Sequence, residues 1–195
     1  AGRSDTVAVD DLCALAARRD PRLAEWAGDA QLTVVACHPR AVRGLFRLAG
    51  APLDESRVRF VNLRRQHAPD LLATLGAGAP GPATAETSAP DASPTPADEW
   101  VPWFPVIDYA RCRQCRQCLS FCLFGVYALS ADGKVAVVNP QSCKNNCPAC
   151  ARICPEVAIM FPKLPEAESP LNGDEISDET PLKARARIDA GKLLG

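Results

Sequence analysis

The sequence has little of what marks several large classes of protein. Its 195 residues carry a formal net charge of only −1, whereas a nucleic-acid-binding protein usually shows a basic excess. No apolar run approaches the roughly 20 residues that span a bilayer, so we expect no transmembrane segment. No glycine fingerprint follows the first predicted strand, which argues against a Rossmann cofactor site. No catalytic base, nucleophile or substrate pocket can be assigned, and we predict no enzymatic activity of its own.

Cysteine is the residue type with the most informative pattern, because eight of the ten cysteines fall in two short runs. The first run has the spacing C-x2-C-x2-C-x3-C, and the second has C-x3-C-x2-C-x3-C-P. The runs consist of Cys112, Cys115, Cys118 and Cys122, and of Cys143, Cys147, Cys150 and Cys154. Since four thiolates hold one four-iron cluster, the two runs predict two [4Fe-4S] clusters.

The region from about 104 to 162 resembles the bacterial dicluster ferredoxin family, on the strength of these two runs. Both halves repeat an extended apolar segment, a three-cysteine loop, a fourth cysteine on a short helix and a further extended segment. In that family the last cysteine of each run ligates the cluster of the other run. The resemblance implies a first cluster site at Cys112, Cys115, Cys118 and Cys154, and a second cluster site at Cys143, Cys147, Cys150 and Cys122.

Two features depart from the family pattern, and neither removes a ligand. The second loop has three residues, 144–146, between its first two cysteines where the family has two. Leu123 follows Cys122, where the family usually has proline. Between the halves, residues 131–133 (Ala-Asp-Gly) predict a hairpin turn flanked by strands.

Zinc binding and disulfide formation are two other uses of clustered cysteines. Structural zinc sites need only four thiolates and usually take them from separated pairs, which a run of four cysteines within eleven residues does not match. A disulfide framework is typical of secreted proteins, and no signal-peptide pattern opens this sequence. We therefore expect iron–sulfur clusters in a cytoplasmic protein.

Composition divides the chain into four parts, and the whole is predicted to be α+β. Residues 1–75 have globular composition and are expected to form a small α/β domain. Residues 76–99 are rich in Pro, Ala, Gly, Ser and Thr, which predicts a disordered-type linker. The ferredoxin-like dicluster domain is expected at 100–163. Residues 164–195 are predicted to be an extended tail that could end in a short helix.

The first part shows a strand–helix–strand pattern. Asp10 and Asp11 are candidates for opening a first helix. We expect a buried strand at 32–37, a helix at 41–48 and an alternating strand at 57–63. Three such elements within about 30 residues favour a βαβ unit with parallel strands.

The segments VVACHPRAVRGLF and VRFVNLRRQ resemble the amino-terminal part of the heterodisulfide reductase A-subunit family. The residues that match its turn before a helix and its strand end are Cys37, Pro39, Arg40, Asn62 and Arg64. His67 stands where that family has a further cysteine. If the family's extra cluster site were kept, Cys37 and His67 would be its candidate ligands, with Cys13 a remote third.

Each of these three residues has a simpler interpretation. Cys37 ends a predicted strand just before a helix, where backbone N–H groups and the helix dipole could stabilise a thiolate. A free cysteine is nevertheless more often an inert, buried side chain. Cys13 lies among apolar helical neighbours and is expected to be inert, and His67 is expected to be an exposed loop residue.

The charge around the first cysteine run bears on function. Arg111, Arg113 and Arg116 lie in or beside it, and Asp108 is the nearest acid in sequence. Positive charge near a cluster favours its reduced state, although the arginines could equally form a solvated face. We predict an electron-transfer subunit that meets a flavoprotein or a heterodisulfide reductase-like partner in a larger redox complex. The alternatives are an iron–sulfur regulatory or docking module, and a redox enzyme subunit with thiol chemistry at Cys37.

Overall fold

The computed structural model of the chain describes residues 6–65, 100–165 and 169–176. The first range contains α1 (Leu12–Arg18), α2 (Arg22–Ala27), β1 (Leu32–Ala36), α3 (Pro39–Leu48) and β2 (Val58–Asn62). The second contains β3 (Val106–Ile107), α4 (Gln117–Phe121), β4 (Tyr127–Leu129), β5 (Val135–Val137), α5 (Ala149–Ile153) and β6 (Ile159–Met160). Two 3₁₀ turns lie at Pro140–Ser142 and Pro170–Asn172. The predicted linker, His67 and the predicted terminal helix lie outside the described residues.

The N-terminal range follows the predicted order of elements. Helix α1 begins after Asp11, whose side chain accepts a hydrogen bond from the N–H of Ala14 at 3.1 Å. Strands β1 and β2 pair in parallel, with α3 as the connection between them. Helix α3 begins at Pro39, two residues before the predicted start, because proline is well suited to the first helical turn. No helix in the described parts of the chain is long and apolar enough to cross a membrane.

The second range is built from two antiparallel strand pairs. Strands β4 and β5 form the predicted hairpin, and Gly133 takes a positive φ of 74° in its turn. Strand β3 pairs with β6, so that Val106 lies opposite Met160. This second pairing joins the beginning of the dicluster unit to its end, which local sequence patterns did not predict.

The N-terminal range and the dicluster unit share an apolar core. Leu45 and Phe46 of α3 belong to the same buried cluster as Phe104 and Met160. The helix approaches β3 so closely that a Cβ added at Gly44 would lie 3.0 Å from the side chain of Val106. A separate βαβ domain is therefore not confirmed, although the parallel strand pair itself is present. The domain boundaries at 75 and 100 stay a prediction.

Residues 169–176 pack against both of the other ranges. Asn172 and Asp174 are buried, and the N–H of Phe161 donates to the carbonyl of Leu171 at 2.7 Å. Gly173 has a φ of 101°, and a Cβ there would lie 2.5 Å from the Cβ of Ala41. These residues are thus packed and not extended, contrary to the tail predicted from 164 onward.

Gly173→Ala is expected to destabilise the protein more than Gly133→Ala. Both positions have positive φ, which costs roughly 1–2 kcal/mol for a residue with a Cβ, but only Gly173 lies against another residue. Overpacking against Ala41 should add about 1–3 kcal/mol. Thermal unfolding of the two anaerobically prepared holoproteins measures the difference. Equal losses would contradict the close contact between Gly173 and Ala41.

Candidate iron–sulfur site

The two cysteine loops bend through residues with left-handed backbone conformation. In the first loop Gln114 and Arg116, on either side of Cys115, have φ values of 58° and 63°. In the second loop Asn146, just before Cys147, has a φ of 57°. Asparagine tolerates this conformation better than most residues. The longer second loop therefore makes the same kind of bend immediately before its second cysteine.

A cavity beside the first loop is lined by cysteines from both runs. Its walls include Cys112, Cys115, Cys118 and Cys154. These are three cysteines of the first run and the last cysteine of the second, which is the ligand set that the ferredoxin resemblance implies for the first cluster site. The donor set therefore fits a four-iron cluster, which takes one thiolate on each iron.

The remaining four cysteines influence one another's ionisation. Burial, together with the negative charge that Cys147 and Cys122 can carry, raises the pKa of the Cys143 thiol to about 12. Burial likewise raises the pKa of Cys150 to about 12, with added contributions from Cys143, Cys122 and Cys147. Cys122 of the first run thus lies among the cysteines of the second, which supports the second cluster site. Bound iron ions would offset this repulsion with their positive charge, because a thiol that coordinates a metal ion loses its proton.

Single metal ions place a different demand on their ligands. Within residues 6–65, 100–165 and 169–176, no three His, Cys, Asp or Glu side chains converge in a way that would hold one metal ion. A cubane needs instead four sulfurs that approach from different directions. The crossed sets would supply these sulfurs from two loops and from the ends of α4 and α5.

Hydrogen-bond donors reach the sulfur atoms of both sites. At the first, the Gln114 side-chain amide donates to Cys112 Sγ, and the N–H of Ala158 donates to Cys154 Sγ, each at 3.4 Å. At the second, the buried Tyr127 hydroxyl donates to Cys150 Sγ at 3.1 Å. Donors to cluster sulfurs stabilise the more negative, reduced state and so raise the reduction potential.

The tyrosine donor has no counterpart at the first site. Tyr127 lies five residues after Cys122, and the residue five positions after Cys154 is Ile159. Ile159 lines the first-site cavity, and its side chain has no hydrogen-bond donor. The repeated halves therefore give their clusters different surroundings at equivalent positions.

The charge around the first site is less positive than the sequence indicated. Arg113 Nε lies 3.4 Å from the carboxylate of Glu156, and Arg111 Nε donates to the backbone carbonyl of Glu156 at 2.9 Å. Glu156 lines the first-site cavity together with Arg113 and Arg116. Sequence reasoning missed this acid because the crossing of Cys154, not proximity in the chain, brings it there.

Arg40 connects α3 to the dicluster unit, a role that the sequence did not predict. Its guanidinium donates to the Asp108 carboxylate at 3.0 Å, to the Val157 carbonyl at 3.0 Å, and to the carbonyls of Pro170 and Asp174 at 3.2 and 2.9 Å. Val157 has a φ of 51°, which is unusual for a β-branched residue. Its counterpart three residues after Cys122 is Gly125, with a φ of 64°.

The two remaining cysteines do not have the properties of reactive thiols. Burial raises the pKa of Cys13 to about 12, with a further contribution from Asp11. Burial also raises the pKa of the partly buried Cys37, although the positive charge of Arg64 opposes this. Both thiols therefore stay protonated near neutral pH, which argues against thiol chemistry at Cys37.

Tyr127→Phe is expected to make the reduction potential of one cluster more negative and leave the other unchanged. The shift should be on the order of tens of mV, because a hydrogen bond to a charged group contributes about 1.5–3 kcal/mol and only the difference between redox states counts. Potentiometric titration followed by electron paramagnetic resonance measures it. Tyr109→Phe is the control, since the Tyr109 hydroxyl donates to the Val135 carbonyl and not to sulfur.

This sensitivity to Tyr127 also tests crossed ligation. Cys154→Ser should damage the first cluster, so the intact cluster that remains should still respond to Tyr127→Phe. Cys122→Ser should damage the second cluster and leave one that does not respond. The reverse pattern would mean that each run holds its own cluster.

Comparison with known proteins identifies the kind of domain that the dicluster unit forms. Residues 104–155 match the family model described as a 4Fe-4S dicluster domain. An uncharacterized ferredoxin of Methanocaldococcus jannaschii is 50% identical over 63 residues, which are 32% of this chain and 42% of that protein. No solved structure matches the chain, and the resemblance to the heterodisulfide reductase A-subunit is not shown. The chain thus contains a dicluster ferredoxin domain with iron–sulfur clusters, consistent with two [4Fe-4S] centres.

Proposed function

We propose that this iron–sulfur electron-transfer protein is the ferredoxin-like subunit of a larger cytoplasmic redox complex. Each [4Fe-4S] centre, when bound, supplies a site that accepts and releases one electron. The chain's own contribution is to hold the thiolates, donate hydrogen bonds to them and limit the access of water. Buried Val135, Ala158 and Ile159 contribute to that exclusion at the first site.

The observation that carries the proposal is an exposed apolar surface beside a predicted cluster ligand. Phe121, Leu123 and Phe124 flank Cys122, and Leu123 is 92% exposed. Single exposed apolar residues are common, whereas apolar residues exposed together in one patch are a feature of protein contact surfaces. A partner seated on this group would lie next to the second cluster site, where electrons could pass between the two proteins.

The charge of the dicluster unit indicates what kind of surface the partner presents. Residues 100–163 contain seven Lys or Arg side chains and three acids, Asp108, Asp132 and Glu156. Complementary charge speeds the encounter of two proteins and fixes their orientation. The proposed partner therefore has an acidic contact surface, and a flavoprotein or a heterodisulfide reductase-like complex is our candidate.

A regulatory module is a second candidate, and one contact favours it. The Arg40 guanidinium joins α3 to the Val157 carbonyl, three residues after the ligand Cys154. Loss of the first cluster would therefore disturb the N-terminal range as well. Partner binding that needs the clusters but is indifferent to their redox state would support regulation. Binding together with reversible electron delivery would support the carrier.

Leu123→Asp is expected to weaken the complex without altering the clusters. The tagged holoprotein, purified anaerobically from its source organism, should bring a redox enzyme with it and deliver electrons to that enzyme. The variant should bind that enzyme about tenfold or more weakly, because it places a charge in an apolar contact. Iron content and reduction potentials should stay as in the parent protein.

Val7→Asp is the matched control, since Val7 is 58% exposed and lies in the N-terminal range. It should bind the partner as the parent protein does. If Leu123→Asp delivered electrons at the parent rate, or if the parent protein purified alone, the proposed complex would be ruled out.

A further inference from the structure

A second cavity lies between α3 and the chain that leads into the first cysteine loop, apart from the cavity of the first cluster site. Its volume is about 330 Å³, and its walls include Arg40, Arg43, Arg47, Glu55 and Tyr109. The three arginines are spaced by three and four residues along α3, which places them on one face of the helix. This size is near the lower limit for small-molecule sites.

Arg47 is the arginine most available to a ligand. Its guanidinium lies over the ring of Tyr109, 5.4 Å from the ring centroid, and the residue is exposed. Among the described residues it has no carboxylate within ion-pair distance. A guanidinium in this position can present two parallel N–H groups to a carboxylate or phosphate.

Arg43 is held by Glu55, but loosely. Arg43 Nε lies 3.0 Å from a Glu55 oxygen without making a hydrogen bond, and the terminal nitrogen donates to Glu55 at 3.5 Å. The Glu55 side chain is 67% exposed, and exposed ion pairs contribute little. The Glu55 carboxylate thus occupies the position that an external anion would take.

Arg40 is held by contacts within the fold. The side chains of the cavity wall nevertheless carry a net positive charge. The ion pair of Arg40 with Asp108 and its three carbonyl contacts use four of its five N–H groups. Asp108 and Glu55 are the two acids of the wall, against three arginines. Pro52 and Leu53 add an apolar side to the same cavity.

We propose that this cavity binds a small organic anion whose carboxylate or phosphate group lies between Arg43 and Arg47. Its apolar part would lie against Pro52 and Leu53. This binding site goes beyond electron transfer, and its existence does not depend on the proposed redox complex.

Occupancy of the cavity should influence the first cluster. The N–H of Cys112 donates to the carbonyl of Asp108 at 3.0 Å, so the wall of the cavity continues into the first cysteine loop. The Tyr109 hydroxyl fixes the same wall to β5 through the Val135 carbonyl. Added negative charge disfavours reduction of a nearby cluster. A bound anion should therefore make the potential of the first cluster more negative, and affect the second less.

Binding is measured by calorimetry on the full-length, anaerobic holoprotein, with phenyl phosphate and phthalate as probes for the two head-group chemistries. At least one should bind at a single site. Arg47→Gln should weaken that binding about tenfold or more, and Arg47→Lys should restore only part of it, because lysine cannot bind bidentately. Arg59→Gln, which removes an exposed arginine away from the cavity, should bind as the parent protein does.

Glu55→Gln tests for a gain in affinity, which a misfolded variant would not show. Removing the competing carboxylate should tighten binding severalfold, while Glu25→Gln, with the same change in charge elsewhere, should not. The negative shift in the first-cluster potential should accompany binding and be lost in Arg47→Gln.

Three outcomes would contradict the proposed anion-binding site. If neither probe bound, the cavity takes no small anion. If Arg47→Gln and Arg59→Gln weakened binding equally, the protein binds an adventitious ion only. If both probes failed but a poly-glutamate peptide bound through Arg47, the cavity would belong to an acidic segment of a partner protein instead. None of these results bears on electron delivery to a partner.

Discussion

The three described ranges of the chain meet at one guanidinium. Arg40 is largely buried, and its four hydrogen bonds end on Asp108, on Val157 and on two residues of the 169–176 segment. Burial of a charge is costly unless ion pairing and hydrogen bonds replace the lost water. Asp108 supplies the opposite charge, and the carbonyls supply the remaining acceptors. Because these acceptors come from different parts of the chain, the buried charge is stable only when all of those parts are in place.

The internal repeat of the dicluster unit keeps four cysteines in each half, but the residues around them differ. Tyr127 brings a hydroxyl to Cys150, whereas Ile159 occupies the equivalent position beside the first site. The first site has in exchange Gln114, whose side chain donates to Cys112 Sγ and accepts from the N–H of Val135 at 2.7 Å. Two clusters of the same type can thus have different potentials although their thiolate sets are alike. A relay between unequal centres then has a preferred direction for the electron.

The sequence predicted well whatever depends on neighbours in the chain. The cysteine spacings indicated a dicluster ferredoxin domain, Asp11 indicated the start of α1, and the Ala-Asp-Gly turn indicated the β4–β5 hairpin, because each of these is a local pattern. It did not predict the contact of Gly44 with Val106, the place of Glu156 beside the first site or the packing of residues 169–176. These features depend on which distant parts of the chain come into contact. The sequence of one helix face, or a single acid, does not indicate what it will contact. The role of Arg40 was missed for the same reason.

The backbone at Val157 has a consequence for related sequences. A β-branched residue with a φ of 51° stores strain, of order 1–3 kcal/mol for such conformations, and the Arg40 hydrogen bond to its carbonyl helps to hold it there. The valine side chain in turn is buried. A dicluster protein without this N-terminal range has neither the guanidinium nor the helix behind the turn. At an equivalent turn without these two supports, glycine or asparagine would be less strained than valine.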